Sequence, residues 1–158
     1  MAAIAMPSTT LLATKLVKDY PQLTFSVGGD FYWSPSEQTV YYEKDSSDVA
    51  AFLHELAHGL LEHGDYSRDI RLIELERDAW THANGVLAPR YDITISDEVI
   101  EAALDTYRDW LHARSTCPHC QATGVQTSSE TYRCIACRTS WKVNEARICA
   151  LRRYTLSN

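Results

Sequence analysis

The sequence predicts an α+β protein of two modules, and three features carry that expectation. Short runs rich in aromatic and β-branched residues lie between residues 23 and 42, a composition that favours strands. On either side of them, apolar residues recur at helical spacing. Near residue 114 the composition changes: residues 1–113 hold 8 Lys and Arg against 19 Asp and Glu, whereas 114–158 hold 7 against 2. The expected division is therefore 1–113 and 114–158, a larger acidic module and a small basic one.

The elements follow from local pattern. In 8–19, Leu11, Leu12, Leu16 and Val17 share one helical face, Ser8 or Thr9 can cap it, and Pro21 follows it. Residues 23–27, 31–33 and 39–42 read as two or three short antiparallel strands, separated by Gly28-Gly29 and by Ser34-Pro35-Ser36. Ser46-Ser47-Asp48 offers a cap for a helix running to about His63, with Gly64 as its stop. A second helix is expected from Asp69 to Ala88, ending before Pro89. A third begins at Ser96 and reaches about Ala113, with Val99, Ile100, Ala103, Leu104, Tyr107 and Leu111 as its buried stripe.

The chain has 158 residues, 45% of them hydrophobic and 23% charged, which suits a soluble globular fold. It lacks an apolar run long enough for a transmembrane helix, and its N-terminus lacks the basic and apolar regions of a secretory signal. A cytoplasmic location is the expectation. The cysteines agree with it, because four of the five fall into Cys-x-x-Cys pairs, a metal-site spacing and not an extracellular disulfide framework. Cys149 is left over and reads as a structural thiol.

Within the first long helix lies HELAHGLLEH, residues 54–63. Residues four apart share a helix face, so His54 and His58 can point at one ion. Glu55, adjacent to that ion without being a ligand, can take a proton from a water and return it to a leaving amine. A catalytic zinc takes three protein ligands, so a third is needed. His63 lies roughly 140° around a continued helix from His58 and is expected to turn away. On the next helix Leu72, Leu75, Ala79, Ala83 and Val86 form the apolar stripe, with Trp80 and Leu87 on its edge. Glu76 falls close to that stripe, whereas Glu74 points nearly opposite. An inward carboxylate needs a partner, so Glu76 is the third ligand expected, and Glu74 and Asp78 are expected to face water.

These residues resemble a known family. HELAHGLLEH followed by ERDAWTHA is similar to the gluzincin arrangement of the ImmA/IrrE-type metallopeptidases, in which an HExxH helix precedes a helix carrying ExxA[N/D]xxA. Glu76, Ala79 and Ala83 match that register, and Trp80 stands where the family usually has Asn or Asp. The resemblance covers about residues 20–90. It implies a zincin-like core, a small antiparallel sheet plus active-site helices, with an edge strand that aligns a peptide by strand addition. It also implies a zinc-dependent endopeptidase acting on a regulatory or DNA-binding protein. Tyr66, His82, Tyr91 and Tyr107 are the available donors for the oxyanion of peptide hydrolysis, and the sequence does not rank them.

The small module contains Cys117-x2-Cys120 and Cys134-x2-Cys137, separated by a 13-residue stretch with hairpin character. Four thiolates brought together by a hairpin make a closed structural zinc site, so one catalytic and one structural zinc are expected in all. His119 lies between two of the cysteines and reads as a bystander. The basic balance of the ribbon, Arg133, Arg138, Lys142, Arg147, Arg152 and Arg153, suits contact with nucleic acid, with an acidic protein, or with the chain's own acidic module. Two alternatives remain beside the peptidase reading. A SprT-like protease of DNA–protein crosslinks also pairs HExxH with a zinc ribbon, and expects a third histidine followed by Gly, which His63-Gly64 superficially supplies. A non-catalytic nucleic-acid-binding or scaffold protein would have two structural sites and no need of Glu55.

Overall fold

The computed structural model describes residues 7–147 and 149–157. The first six residues of the N-terminal reading lie outside the described residues. The chain forms two compact units, one of Met1–Gly64 with Leu75–Ile100 and the other of Asp65–Glu74 with Glu101–Asn158. Each has its own helices and its own small sheet, and the class is α+β. Among the described residues no helix is long and apolar enough to cross a membrane.

In the first unit, α1 spans Thr9–Asp19, and the Ser8 hydroxyl accepts the Leu11 N–H at 3.2 Å. That cap satisfies one of the amides left without an intrahelical partner. Leu12, Ala13 and Leu16 face the core, while Leu11 and Val17 are exposed. The start of the helix is pinned by Thr9, which is fully buried and donates its hydroxyl to the Glu43 carbonyl at 2.6 Å.

Strands β1 (Thr24–Val27), β2 (Tyr32–Ser34) and β3 (Thr39–Tyr42) form a sheet in the order β1-β3-β2. β2 and β3 are antiparallel, Trp33 opposite Val40, but β1 runs parallel to β3 with Thr24 opposite Thr39. The sheet is therefore mixed, not antiparallel throughout as expected. The tight 35–38 connection, with Gln38 at φ 51°, lays β3 against one side of β2, so β1 reaches only the far edge of β3. Val40 is fully buried, and Tyr42 stacks on Phe52 of the following helix with ring centroids 4.5 Å apart.

That helix, α2, spans Val49–Leu60 and is capped by the Asp48 carboxylate, which accepts the Ala51 N–H at 3.0 Å. Phe52, Leu53, Leu56 and Ala57 are fully buried. The helix ends earlier than expected. Glu62 adopts φ 56°, its N–H donates to the Gly59 carbonyl, and the His63 N–H returns to the His58 carbonyl at 2.9 Å. This is the Schellman arrangement, built on a left-handed Glu in place of the usual Gly. Gly64 is not the stop.

α3 spans Asp69–His82 and runs into a wide π turn at Ala83–Leu87, then a last turn α4 at Ala88–Arg90. The helical path thus passes Pro89, which was expected to lie beyond it. Proline cannot donate to a carbonyl four residues back and its ring crowds that carbonyl; the π turn widens the helix there, with the Ala88 N–H donating to Ala83. Ala79 and Ala83 have no exposed surface, and Leu75 and Trp80 are buried.

In the second unit, α5 spans Asp97–Ser115, its Ile100-to-Glu101 junction coinciding with the boundary between units. The Ser96 hydroxyl accepts the Val99 N–H at 3.3 Å. Leu104 and Trp110 are its buried apolar residues, and Val99 is exposed, unlike the stripe expected of it. β4 (Gly124–Ser128), β5 (Thr131–Cys134), β6 (Ser140–Val143) and β7 (Arg153–Thr155) form an antiparallel ribbon in sequence order. Its core is Cys117, Tyr132, Cys134, Trp141 and Val143.

A buried ion pair anchors this unit. Arg114 Nε donates to Asp69 Oδ2 at 2.7 Å, both residues being almost fully buried. The Tyr132 hydroxyl and Gln126 Nε2 also donate to the Asp69 carboxylate, at 2.6 and 3.2 Å. The remaining guanidinium nitrogens of Arg114 donate to the carbonyls of Ser129, Asn144 and Glu145. Removing one partner would leave a buried charge uncompensated. Arg114→Leu is therefore expected to lower the unfolding free energy by about 3–5 kcal/mol. Chemical denaturation followed by circular dichroism checks this, and a loss below 1 kcal/mol (about one surface pair) would refute it.

Candidate metal centres

The first centre is assembled by α2 and α3 within one compact unit. Helical spacing brings His54 and His58 together, with their Nε2 atoms 3.1 Å apart. Glu76 approaches from α3, one carboxylate oxygen 2.9 Å from His54 Nε2 and the other 3.2 Å from His58 Nε2. Two ring nitrogens thus face the two oxygens of one carboxylate, one oxygen to each ring. Four-coordinate zinc with Zn–N and Zn–O distances of about 2.0–2.1 Å would place its ligand atoms about 3.3 Å apart, so the donor set fits such an ion. Both histidines and Glu76 are buried.

Ligand atoms of Glu55 and the two histidines also lie within 4.8 Å of one another. Glu55 nevertheless stands further back, with Oε1 3.9 Å from His54 Nε2. Its other oxygen accepts the Trp33 backbone N–H at 3.0 Å. Two half-buried acids of α3 are elsewhere engaged, Glu74 with Arg71 at 2.9 Å and Asp78 with Arg77 at 3.6 Å.

Burial and mutual charge set the protonation of the cluster. Burial pushes the Glu55 carboxyl up to about 7, with the His58 imidazole and the Trp33 amide opposing the rise. Burial would also raise Glu76, but hydrogen bonds from the two imidazoles outweigh it and hold the carboxyl well below the usual range. Burial lowers His54. For His58 the same burial is overcome by the Glu76 and Glu55 carboxylates, which raise it. One carboxylate is therefore held ionised beside the imidazoles while its neighbour is shifted toward neutrality.

The surroundings of the two imidazoles differ. Trp80 stacks on His54, ring centroids 4.1 Å apart and planes at 20°, and His54 Nδ1 is buried without a hydrogen-bond partner among the described residues. His58 Nδ1 instead lies 2.8 Å from Nδ1 of His63. His63 does turn away from the donor cluster, but it ends behind His58 and not in open solvent, because the Schellman turn folds the chain back. Trp33 joins the same region: its indole N–H donates to the His63 carbonyl at 2.9 Å. A Cβ on Gly59 would come within 3.0 Å of that indole, so the missing side chain lets the ring lie against α2. Sequence reasoning did not single out Trp33 or Gly59; the signal available was a glycine directly after the HExxH motif.

Of the donors left open for an oxyanion, Tyr91 is committed to Asp19, its hydroxyl donating at 2.6 Å. Tyr66 and Tyr107 belong to the other compact unit, and His82 closes α3.

The second centre is the ribbon. Cys117, Cys120, Cys134 and Cys137 offer sulfurs within 4.8 Å of one another. The 117–137 and 120–134 pairs stand 3.6 and 3.5 Å apart. A zinc with Zn–S near about 2.3 Å would hold its sulfurs about 3.8 Å apart, so this set also fits. The two Cys-x-x-Cys turns are built alike. Gln121 and Arg138, each just after the second cysteine, adopt φ 66° and 65° and return their N–H groups to the carbonyls of Cys117 and Cys134. Backbone N–H groups of His119 and Cys137 point at Sγ of Cys117 and Cys134, at 3.4 and 3.5 Å. Such donors stabilise thiolates. His119 takes part through its backbone, and its side chain is exposed.

The ribbon's apolar core is small, Tyr132, Trp141 and Val143 with Ala122 and Leu151 packed against it, so a cation held by the four cysteines would add to its stability. Stripping metal with a strong chelator is expected to abolish hydrogen-exchange protection at Tyr132, Cys134, Trp141 and Val143. Retained protection at these amides would show that the ribbon folds without metal.

Compared with known proteins, the chain matches no family model, no curated protein and no solved structure.

Proposed function

We propose that the chain is a zinc-dependent metallopeptidase, with His54, His58 and Glu76 holding the catalytic ion and Glu55 as general base. A second zinc at Cys117, Cys120, Cys134 and Cys137 has a structural role. The observation that carries this reading is the division of labour between two carboxylates. Glu76 spans both imidazoles, whereas Glu55 is held back by a backbone N–H and left beside the cluster. A purely structural site has no use for the second one. Two imidazoles with one carboxylate, and separately four thiolates, are donor sets that suit zinc.

When bound, zinc supplies Lewis acidity that acidifies a water and polarises a carbonyl. The chain's own part is proton handling and alignment. Glu55 takes a proton from the attacking water on its carboxylate and delivers it to the departing amine. Trp33, whose amide meets Glu55, lies on β2, an edge strand of its sheet. An extended peptide added beside β2 would lie along the strand that touches the base, which supports a peptide as substrate. The ImmA/IrrE-type resemblance points the same way, toward a regulatory or DNA-binding protein as target. The Glu76 geometry favours this arrangement over the SprT-like one, because His63 meets His58 on the nitrogen away from the cluster.

The ribbon supports a separate contact role. Arg133, Lys142 and Tyr154 are exposed, Lys142 stands opposite Tyr154 in the β6–β7 pairing, and Arg133 shares their face on β5. A basic face with an exposed aromatic suits an anionic partner, with nucleic acid phosphate as its simplest form. Arg133→Glu with Lys142→Glu is expected to elute from heparin at lower salt than the parent chain. Unchanged elution would remove this face from consideration.

Metal analysis tests the main reading. The parent chain should carry about two zinc ions, and His54→Ala or Glu76→Ala about one. Glu55→Gln should keep both ions and lose peptide hydrolysis. Metal at the cysteines alone in the parent chain would sink the enzyme reading, and full loading of Glu76→Ala would remove Glu76 from the ligand set.

A further inference from the structure

We propose that His63 is a positioning residue for His58, fixing that imidazole through the contact between the two Nδ1 atoms so that Nε2 faces the donor cluster. The inference rests on the metal-site reading above and extends it to a residue outside the HExxH motif and its third ligand. A neutral imidazole that offers Nε2 to a cation carries its hydrogen on Nδ1. Nδ1 of His58 lies 2.8 Å from Nδ1 of His63, so in that tautomer His58 donates and His63 accepts. The bond selects the tautomer of His58 and its ring orientation together, as partners behind metal-binding histidines do.

Three features hold His63 in place. The left-handed Glu62 reverses the chain, and the His63 N–H closes on the His58 carbonyl at 2.9 Å, so backbone and side chain of the same two residues are doubly joined. The Trp33 indole N–H grips the His63 carbonyl at 2.9 Å. Gly59 leaves the space in which that indole lies. Trp33 therefore reaches both sides of the centre, its amide on Glu55 and its indole on His63. His54 has no such polar partner among the described residues and is steadied by stacking on Trp80. The two rings are thus oriented by different contacts, His54 by stacking and His58 by the polar contact with His63.

Cobalt(II) titration of the full chain tests this, because nitrogen and oxygen ligands and thiolates give separable absorption bands and the cysteine cluster serves as internal standard. His63→Leu is expected to weaken cobalt binding at the histidine cluster by about 10–100-fold, with altered ligand-field bands. Binding at the cysteines should stay as in the parent chain. His63→Asn, whose amide oxygen can accept the same hydrogen, should restore most of the affinity and the parent spectrum. Trp33→Phe, lacking the indole N–H, should weaken the site less than His63→Leu does. Parent-like affinity and bands in His63→Leu would overturn the inference, and so would an Asn variant as weak as the Leu one. Should His63→Leu not fold, the Asn and Phe variants decide, and parent-like binding in Trp33→Phe together with weak binding in His63→Asn overturns it. A parent chain that takes up cobalt only at its cysteines would overturn the metal-site reading as well, which separates the two failures.

Discussion

A carboxylate buried between two imidazoles sets the terms for the larger unit. Glu76 is buried, hydrogen bonds from the imidazoles favour its ionised form, and among the described residues its oxygens meet the Nε2 atoms of His54 and His58. α2 packs closely on the π turn that follows α3, and Glu76 reaches the imidazoles from α3. The fully buried Ala57, Ala79 and Ala83 are small enough to permit that. The packing also explains why α2 is apolar on most of its circumference: one side meets the sheet through Phe52, which packs on Tyr42 and Phe25, and the His54 and His58 side meets Glu76. Core and site are one construction in this unit.

The second unit solves the same problem twice. Its buried Asp69 is neutralised by Arg114 and hydrogen-bonded by Tyr132 and Gln126, so a salt bridge links α5, the start of α3 and the ribbon. Its four thiols converge with backbone N–H groups directed at two of them. An ion pair and a four-cysteine group that could hold a metal ion supplement the small apolar core of this unit. Burying charge in pairs leaves little tolerance for the loss of one partner.

Much of this could be read in the chain. His54 and His58 are brought together by helical periodicity alone, and the inward position of Glu76 follows from the apolar stripe around it, since a 100° step places Glu76 inside and Glu74 outside. The caps at Ser8, Asp48 and Ser96 follow from short polar side chains before apolar runs. The parallel pairing of β1 with β3 was not readable, because strand propensity carries no direction. Nor was the turn at Glu62. A non-glycine residue in the left-handed region is not announced by its type, and the return of His63 to the back of His58 depends on it.

What the sequence determined by itself is chemistry at short range: two imidazoles one turn apart, two pairs of cysteines at knuckle spacing, an acid on the inner face of the next helix. These depend only on local periodicity. What tertiary structure decided is which groups stand behind them. Trp33 comes from a strand more than twenty residues before the motif and holds both Glu55 and the carbonyl of His63, while Trp80, read as the edge of an apolar stripe, covers His54. Such contacts join residues with no periodic relation to one another. They arise only when the sheet and the reversed helix end are packed on the same face of α2, and no local pattern encodes that meeting.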